Sequence, residues 1–137
     1  MSAILHVKTE LAKWFKLCDL GPTSSLLGIE ITHDHSKQCL CLSQHQYISD
    51  MLDCYNIADS APVTTSIDPG LKLSSSMSPT TPQEIAEMKN IPYALAVGFI
   101  MYLLVATWPD ISYAVGVLCW FNQNPGMVHW KAVKHLF

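Results

Sequence analysis

The spacing of hydrophobic residues changes along the chain, and each change predicts a different element. Residues 3–17 carry apolar side chains at helical intervals, so we predict a helix there. Residues 25–32 instead alternate between apolar and polar side chains, which is typical of a half-buried strand. A polar turn over 33–37 and a second short strand over 38–42 would complete a β-hairpin. The apolar face of the first predicted helix consists of Leu5, Leu11, Trp14 and Phe15.

Capping signals predict where the next helices begin. Ser43 and Gln46 have the spacing of a capping box, in which each side chain bonds the other residue's backbone N–H. The helix that follows is predicted to run to about Tyr55. Residues 58–82 are rich in proline, serine and threonine, and we expect a long loop there, functional or disordered. Pro82 suits the first position of a short helix. The predicted buried positions of the helix before the loop are Tyr47, Ile48, Met51 and Leu52.

The most apolar part of the chain runs from Ile91 to Val128 and carries one formal charge, Asp110. We predict two helices there, over about 93–106 and 108–122, packed against each other. Small side chains would let the two backbones approach closely. The small residues in question are Ala94, Gly98, Ala106, Ala114 and Gly116.

The break between these helices also bears on a membrane alternative. Thr107 is predicted to cap the second helix, and Asp110 suits its positive end. A re-entrant membrane hairpin over 93–121 is the alternative, but the break leaves each segment short of the roughly 20 residues of a bilayer span. A last helix is expected from Met127 and is still running at Phe137, so we expect a truncated chain. These elements predict an α+β fold that is mainly helical, with one N-terminal β-hairpin and a long Pro/Ser/Thr loop.

Composition narrows the classes of function. Half of the residues are hydrophobic and 14% are charged, and the net charge is −3. Strong autonomous binding of nucleic acid needs a basic surface, so this balance argues against it. The five cysteines are odd in number and scattered, and no secretory signal follows Met1. We therefore expect a reduced intracellular setting, either cytoplasm or nucleus, and no membrane partner.

Candidate chemistry is sparse. Four N and S ligands, His33, His35, Cys39 and Cys41, could in principle hold zinc across the hairpin. Their spacing is not a usual zinc pattern, so the favoured interpretation is structural, because a buried cysteine behaves as a small hydrophobe. Asp50 and Asp53 are one helical turn apart, which is more typical of a solvated face. No paired-aspartate motif of the kind that two-metal phosphoryl transfer needs is present.

Several motifs in one order resemble the reverse transcriptase of copia-type LTR retrotransposons. The upstream motifs are Leu11-Ala12, Phe15, Asp19-Leu20-Gly21, Leu27-Gly28-Ile29-Glu30-Ile31, Leu42-Ser43-Gln44, Tyr47-Ile48, Pro62-Val63, Gly70 and Lys72-Leu73. The downstream motifs are Tyr93, Val97-Gly98, Met101-Tyr102-Leu103, Thr107, Pro109-Asp110-Ile111, Tyr113-Ala114-Val115, His129-Trp130, Ala132 and Lys134. Together they cover essentially the whole chain.

The resemblance implies a fold and a role for each part. It implies one partial reverse-transcriptase domain, a C-terminal fragment with the primer grip in 1–57, a loop in 58–82 and a thumb-like helical bundle in 83–137. The hairpin resembles the primer grip, so the implied nucleic-acid-binding residues are Leu27, Gly28 and Ile29. We expect Gly28 to be a strand glycine that permits close approach of another backbone.

The resemblance also implies what the chain lacks. The family's catalytic aspartates, including a Tyr-x-Asp-Asp turn, fall before residue 1, and the family uses Mg²⁺ at those residues. We therefore expect no catalytic residue, metal site or cofactor in this chain, and no RNA-directed DNA synthesis by it alone. Two departures stand out. Trp108 replaces a usual arginine, and Ser25 and Leu26 replace a usual aromatic pair.

The expected partners are a primer–template duplex, bound weakly, and the missing palm or another polymerase chain. An alternative function is a protein–protein interaction module that uses the apolar helices 93–121.

Overall fold

The computed structural model describes residues 2–137, and its elements alternate between a small sheet and a helical bundle. The helices are α1 (Ser2–Ala12), α2 (His45–Cys54), α3 (Pro82–Lys89), α4 (Tyr93–Ala106), α5 (Ser112–Cys119) and α6 (Met127–Leu136). The strands are β1 (Ser25–Leu26), β2 (Ile29–Asp34) and β3 (Cys39–Ser43). Short 3-10 turns occur at Ser75–Met77 and Pro109–Ile111.

The sheet has three antiparallel strands in the order β1-β2-β3. The single strand predicted over 25–32 is wrong, because Leu27 and Gly28 form a tight turn between β1 and β2. The turn predicted over 33–37 begins later, since β2 extends to Asp34, which pairs with Cys39 of β3. Asp34 then organises the turn, because its Oδ1 accepts hydrogen bonds from the backbone N–H of Ser36 (3.0 Å) and of Lys37 (3.2 Å).

Helix α1 ends at Ala12, five residues before the predicted end at residue 17. The apolar face predicted for it is largely exposed, since Trp14 is 82% exposed, Leu5 and Phe15 are each 64% exposed and Leu11 is 44% exposed. A salt bridge of 2.7 Å between Lys8 Nζ and Asp19 Oδ2 ties the helix to the chain that follows. The pKa of Asp19 is lowered first by the side-chain hydrogen bond from Lys8 and second by the hydrogen bond from the backbone N–H of Gly21.

Helix α2 begins as predicted in position but not in capping. Ser43 is the last residue of β3, so its backbone belongs to the sheet and Gln44 takes the N-cap position without a side-chain cap. The predicted capping box is therefore wrong, because the Gln46 amide donates instead to Asp50 Oδ1 at 2.7 Å. Of the predicted core residues of α2, Met51 is buried, and Tyr47, Ile48 and Leu52 are half-buried.

A capping box is present instead at the start of α3. The Thr81 hydroxyl accepts from the Glu84 N–H at 3.3 Å, and Glu84 Oε2 accepts from the Thr81 N–H at 3.0 Å. Backbone hydrogen bonds from Thr81 and Thr80 lower the pKa of Glu84. Pro82 occupies the first turn of α3, as predicted, because its missing N–H costs nothing there. The predicted loop before this helix is confirmed apart from the 3-10 turn at Ser75–Met77.

Helices α4, α5 and α6 form the core, and α2 packs on them. Helix α4 has the bounds that the pattern predicted, and the buried Tyr93 hydroxyl on it donates to the Leu118 carbonyl of α5 at 2.9 Å. Burial raises the pKa of Tyr93, so this donor stays protonated. The predicted helix over 108–122 is shorter, because a 3-10 turn precedes α5 and α5 ends at Cys119. The core consists of Met51, Tyr93, Ala96, Val97, Ile100, Leu103, Ile111, Val115, Leu118, Phe121, Ala132 and Val133.

The close approach predicted for the small residues occurs elsewhere. Gly98 and Gly116 are exposed, and a Cβ added to either would meet no atom within 4 Å, so their predicted packing role is wrong. Of the other residues predicted to permit this contact, Ala114 is buried, Ala106 is half-buried and Ala94 is exposed. The close contact lies at Gly126, where a Cβ would be 2.1 Å from the Met77 carbonyl oxygen.

His129 organises the corner at which α6 begins. Its Nδ1 accepts from the Gly126 N–H at 2.8 Å, and its ring stacks on Phe121 with 4.0 Å between centroids. Burial lowers the pKa of His129, and the backbone of Ser74 opposes the shift. Among residues 2–137, Nε2 of this imidazole has no partner with normal hydrogen-bond geometry. The imidazole is therefore neutral, and it contributes its hydrogen bond and its stacking on Phe121 to this corner.

Within the residues that the structure describes, no single helix is long and apolar enough to cross a membrane. One bent pair, Pro82–Lys89 with Tyr93–Ala106, reaches that length and composition only when its two helices are taken together across a 49° bend.

Candidate nucleic-acid interface

The turn at Leu27 and Gly28 is the part of the sheet that stands out chemically. Leu26 pairs with Ile29, so two residues connect β1 to β2. Leu27 has φ +53° and Gly28 has φ +77°, and positive φ at both central residues is what a type I′ hairpin turn requires. Gly28 is thus a turn glycine, and the prediction of a strand glycine is wrong.

Leu27 is an unusual residue for the first position of this turn. A side chain in the left-handed region costs roughly 1–2 kcal/mol, and asparagine, aspartate or glycine normally takes that position. The leucine side chain does not recover this cost by packing, since it is 80% exposed. Local strain combined with an exposed apolar group is the pattern found at functional sites.

Two tyrosines from the helices contact the turn. The Tyr102 hydroxyl of α4 donates to the Leu27 carbonyl, and Tyr47 of α2 contacts Gly28, with its Cδ2 4.0 Å from an ideal Cβ position there. The two rings meet edge to face with 5.1 Å between centroids. The Tyr47 hydroxyl donates in turn to the Phe99 carbonyl at 3.3 Å, and burial, with a smaller contribution from Tyr102, raises the pKa of Tyr47. The helical core therefore fixes the position of the turn.

The structure brings the three predicted site residues together. Leu27 and Gly28 form the turn, and Ile29 is the first residue of β2, where it is half-buried. The exposed apolar surface thus comes from Leu27 and from Leu26, which is 58% exposed. Tyr47 and Tyr102 support the turn but were not predicted as site residues. Each already belonged to a motif of its helix, yet nothing local indicated that the two rings meet under the hairpin.

The charge around the turn is not basic. No lysine or arginine occurs between Lys16 and Lys37, and the nearest charged side chain along the strand is Glu30. The turn can therefore offer apolar and main-chain contacts to a ligand, but no cationic contact to a phosphate. This agrees with the net charge of −3.

The predicted zinc ligands lie on two different faces of the sheet. Directly paired residues of antiparallel strands share a face, and His33 pairs with Leu40 whereas Thr32 pairs with Cys41. His33 and His35 therefore lie on one face, with 3.8 Å between ring centroids, and Cys39 and Cys41 lie on the other. A mixed site of all four residues is impossible. No group of three or more possible metal ligands occurs within residues 2–137.

The segment between α4 and α5 also differs from its prediction. Thr107 ends α4 instead of capping the next helix, and its hydroxyl donates to Gln44 Oε1 at 2.6 Å. Gln44 is 2% exposed, so this bond joins the start of α2 to the end of α4 inside the protein. The sequence placed Gln44 in the family motif Leu42-Ser43-Gln44 but did not indicate its buried role. Trp108 is 46% exposed and lines a cavity of about 590 Å³ between the 57–66 loop and the end of α6.

Comparison of the sequence with known proteins shows the family of this chain. Residues 1–69, which include the whole hairpin and α2, match the family model described as reverse transcriptase (RNA-dependent DNA polymerase). This chain belongs to the reverse transcriptase family. No solved structure matches the chain.

The relatives specify the kind of reverse transcriptase. The chain is 44% identical over 131 residues to the retrovirus-related Pol polyprotein from transposon TNT 1-94 of Nicotiana tabacum, a match that covers 96% of this chain and 10% of the relative. It is 37% identical over 128 residues to the Pol polyprotein from transposon RE1 of Arabidopsis thaliana, covering 92% and 8%. An uncharacterised mitochondrial protein of Arabidopsis thaliana is 34% identical over 128 residues, covering 93% and 49%.

The chain is therefore a segment of a retrotransposon reverse transcriptase. It spans about a tenth of the length of the tobacco polyprotein. The match to the tobacco polyprotein extends well beyond residue 69, so the helical core, like the hairpin, is similar to this relative. The predicted family is confirmed.

Proposed function

We propose that the turn at Leu27 and Gly28 positions the primer end of a primer–template duplex during RNA-directed DNA synthesis. The single observation that supports this role is the strained and exposed Leu27, held in place by the Tyr102 hydroxyl on its carbonyl. A primer must be held at a fixed place relative to reacting groups, and a turn seated on a helical core can supply a fixed contact.

The contact that we propose is apolar and main-chain in character. Leu26 and Leu27 present aliphatic surface that fits a sugar face or a base edge, and the absence of lysine or arginine between Lys16 and Lys37 leaves phosphate neutralisation to other surfaces. The proposed role of the turn is therefore positional. No step of nucleotide addition or of Mg²⁺ chemistry is assigned to these residues.

The helices after the turn complete the proposal. We assign to α3–α6 a thumb-like role, in which a packed bundle supports the hairpin that contacts the duplex. The bonds that carry this support are those from Tyr102 to Leu27 and from Thr107 to Gln44. The proposed protein partner is the rest of the polymerase, because exposed apolar side chains on α1, such as Leu5 and Ile4, are of the type that another protein surface covers.

A binding experiment with a conservative turn variant tests the proposal. In Leu27→Asn, the Asn-Gly pair keeps the type I′ turn while the aliphatic side chain is lost. Fluorescence anisotropy with a labelled RNA–DNA primer–template at low salt should show weak binding by the original chain. The affinity of Leu27→Asn should fall by roughly fivefold or more, a loss of about 1 kcal/mol.

The matched control is Leu20→Asn, which removes a leucine that is 91% exposed and lies outside the hairpin. Its affinity should equal that of the original chain. Equal binding by Leu27→Asn and the original chain, or no binding by either at low salt, would reject the proposed role and leave the family assignment intact.

A further inference from the structure

Strand β3 carries two cysteines whose placement the hairpin does not explain. Cys39 and Cys41 are both exposed, so they do not act as small hydrophobic core residues. They lie on the outer strand of the sheet, because the strand order is β1-β2-β3. Exposed free thiols are normally avoided on a protein surface, since they react and bind metals.

The distance between the thiols is the informative quantity. Residues two apart on a strand point to the same face, and the two Sγ atoms are 3.7 Å apart. Two sulfurs bound at 2.3 Å to one tetrahedral ion are about 3.8 Å apart, whereas a linear ion would separate them by about 4.6 Å. The two free thiols, which are in hydrogen-bond contact, therefore already lie close to the sulfur separation of a tetrahedral site.

We propose that Cys39 and Cys41 form a dithiolate chelate for a thiophilic divalent cation of tetrahedral preference, such as Zn²⁺ or Cd²⁺. On binding, each Sγ–H bond breaks, each sulfur donates a lone pair to the cation, and two protons pass to solvent. The two thiolate charges balance the charge of the ion. The remaining two positions of the tetrahedron face solvent and take water or an external ligand.

The neighbouring side chains limit the site to these two sulfurs. His33 and His35 lie on the opposite face of the sheet, so neither imidazole can reach the ion. Asp34 shares the cysteine face and pairs with Cys39, but its Oδ1 already accepts from Ser36 and Lys37, and its Oδ2 is 3.6 Å from Lys37 Nζ. Glu30 lies on the same face but pairs with Ser43, two positions beyond Cys41, and no group of three or more possible metal ligands occurs within the described residues. Both cysteines are thus required.

A titration of the reduced 137-residue chain with Cd²⁺ tests the site. The ultraviolet charge-transfer band of thiolate bound to Cd²⁺ reports binding, and a chain first saturated with Zn²⁺ should need more Cd²⁺ to develop the same band. Cys39→Ser and Cys41→Ser should each weaken Cd²⁺ binding by roughly tenfold or more, because a single thiolate cannot chelate. The circular dichroism of both variants should match that of the original chain, since the substitutions are small and exposed.

Two sets of controls decide the interpretation. Cys18→Ser and Cys54→Ser remove single exposed thiols and should leave the affinity unchanged. The double variant His33→Ala/His35→Ala should also leave it unchanged, since these rings face away from the thiols. Retention of full affinity by Cys39→Ser or Cys41→Ser would overturn the proposal, as would a loss of affinity in the histidine variant equal to that of the cysteine variants.

Discussion

The first 43 residues and the rest of the chain use their hydrophobic side chains differently. In the part of the chain that the structure describes, no buried residue precedes Gln44, and leucines such as Leu20 and Leu27 face solvent. From Gln44 onward the apolar side chains of α2, α4, α5 and α6 form one core. The family match over residues 1–69 thus includes all of the exposed part. Both regions are similar in sequence to the tobacco polyprotein, which matches 96% of this chain, but stable packing is concentrated in the second region.

This difference separates two roles of leucine in the molecule. A core leucine contributes through the apolar area that it buries, whereas an exposed leucine contributes through what it offers to another molecule. The hairpin depends on the core for its placement, through the bond from Tyr102 to the Leu27 carbonyl. Substitutions that act on one region only can therefore test the comparison.

The largest effect is expected from Leu118→Ala. Leu118 is 1% exposed in the core, so its truncation should lower the free energy of unfolding by about 2–5 kcal/mol. Leu20→Ala is the matched control, because Leu20 is 91% exposed and its loss should change stability by less than about 0.5 kcal/mol. Urea unfolding followed by circular dichroism measures both. Similar losses for the two variants would show that the first region is packed after all.

The next largest change in stability is expected from substitutions of two glycines in the second region, Gly126 and Gly98. Gly126→Ala should destabilise the protein by about 1–3 kcal/mol, because the new Cβ would lie 2.1 Å from the Met77 carbonyl oxygen. Gly98→Ala should instead stabilise it by about 0.5–1 kcal/mol, since Gly98 lies inside α4 with no atom within 4 Å of the added Cβ. Thermal unfolding should give shifts of opposite sign. A gain in Gly126→Ala would contradict the close approach.

A smaller effect should appear in the turn. Leu27→Asn should raise the free energy of unfolding by about 1 kcal/mol, because asparagine tolerates the left-handed backbone and the leucine is too exposed to lose much packing. Leu20→Asn should leave stability unchanged. The turn variant would thus gain stability while losing duplex affinity, a combination expected where strain serves function. A loss of stability would mean that the Leu27 side chain packs against the fold.

The smallest effect is expected from pH. Burial lowers the pKa of His129 below its ordinary value near 6.5, so the unfolded chain binds the proton more tightly than the folded chain does. The contribution of the neutral ring is complete above that value and is lost as the pH falls through the folded pKa. His129→Gln keeps an acceptor for the Gly126 N–H but cannot titrate in this range. Urea midpoints between pH 7.5 and 5 should fall less steeply in the variant, and parallel curves would refute the assignment.

Sequence patterns predicted the elements that depend on local signals. The bounds of α4 and the start of α6 follow from apolar runs that end at proline, threonine or glycine, and Pro82 takes the first turn of α3 as expected. The family resemblance pointed to Leu27–Ile29, and these residues form the turn between β1 and β2 and the start of β2. The proposed role of these residues as a primer contact stays a prediction.

The errors arose where long-range contacts decided between local options. Ser43 had good capping chemistry, but its pairing with Glu30 keeps it in the sheet. Gly98 and Gly116 had suitable sizes for a helix contact, but both face outward, and the contact that requires glycine lies between Gly126 and the remote Met77. No local pattern encodes which of several small residues will meet another backbone.

The contact between Gly126 and Met77 also sets the motions expected of the long loop. It clamps the 3-10 turn at Ser75–Met77 to the start of α6, and the partly buried Leu71 and Leu73 pack on the core just before it. Backbone amides from the clamped turn should therefore exchange with solvent deuterium slowly, whereas those of residues 58–70 should exchange within the fastest phase. The fast-exchanging part of the connection between α2 and α3 should thus be about half as long as the proline-rich sequence suggests.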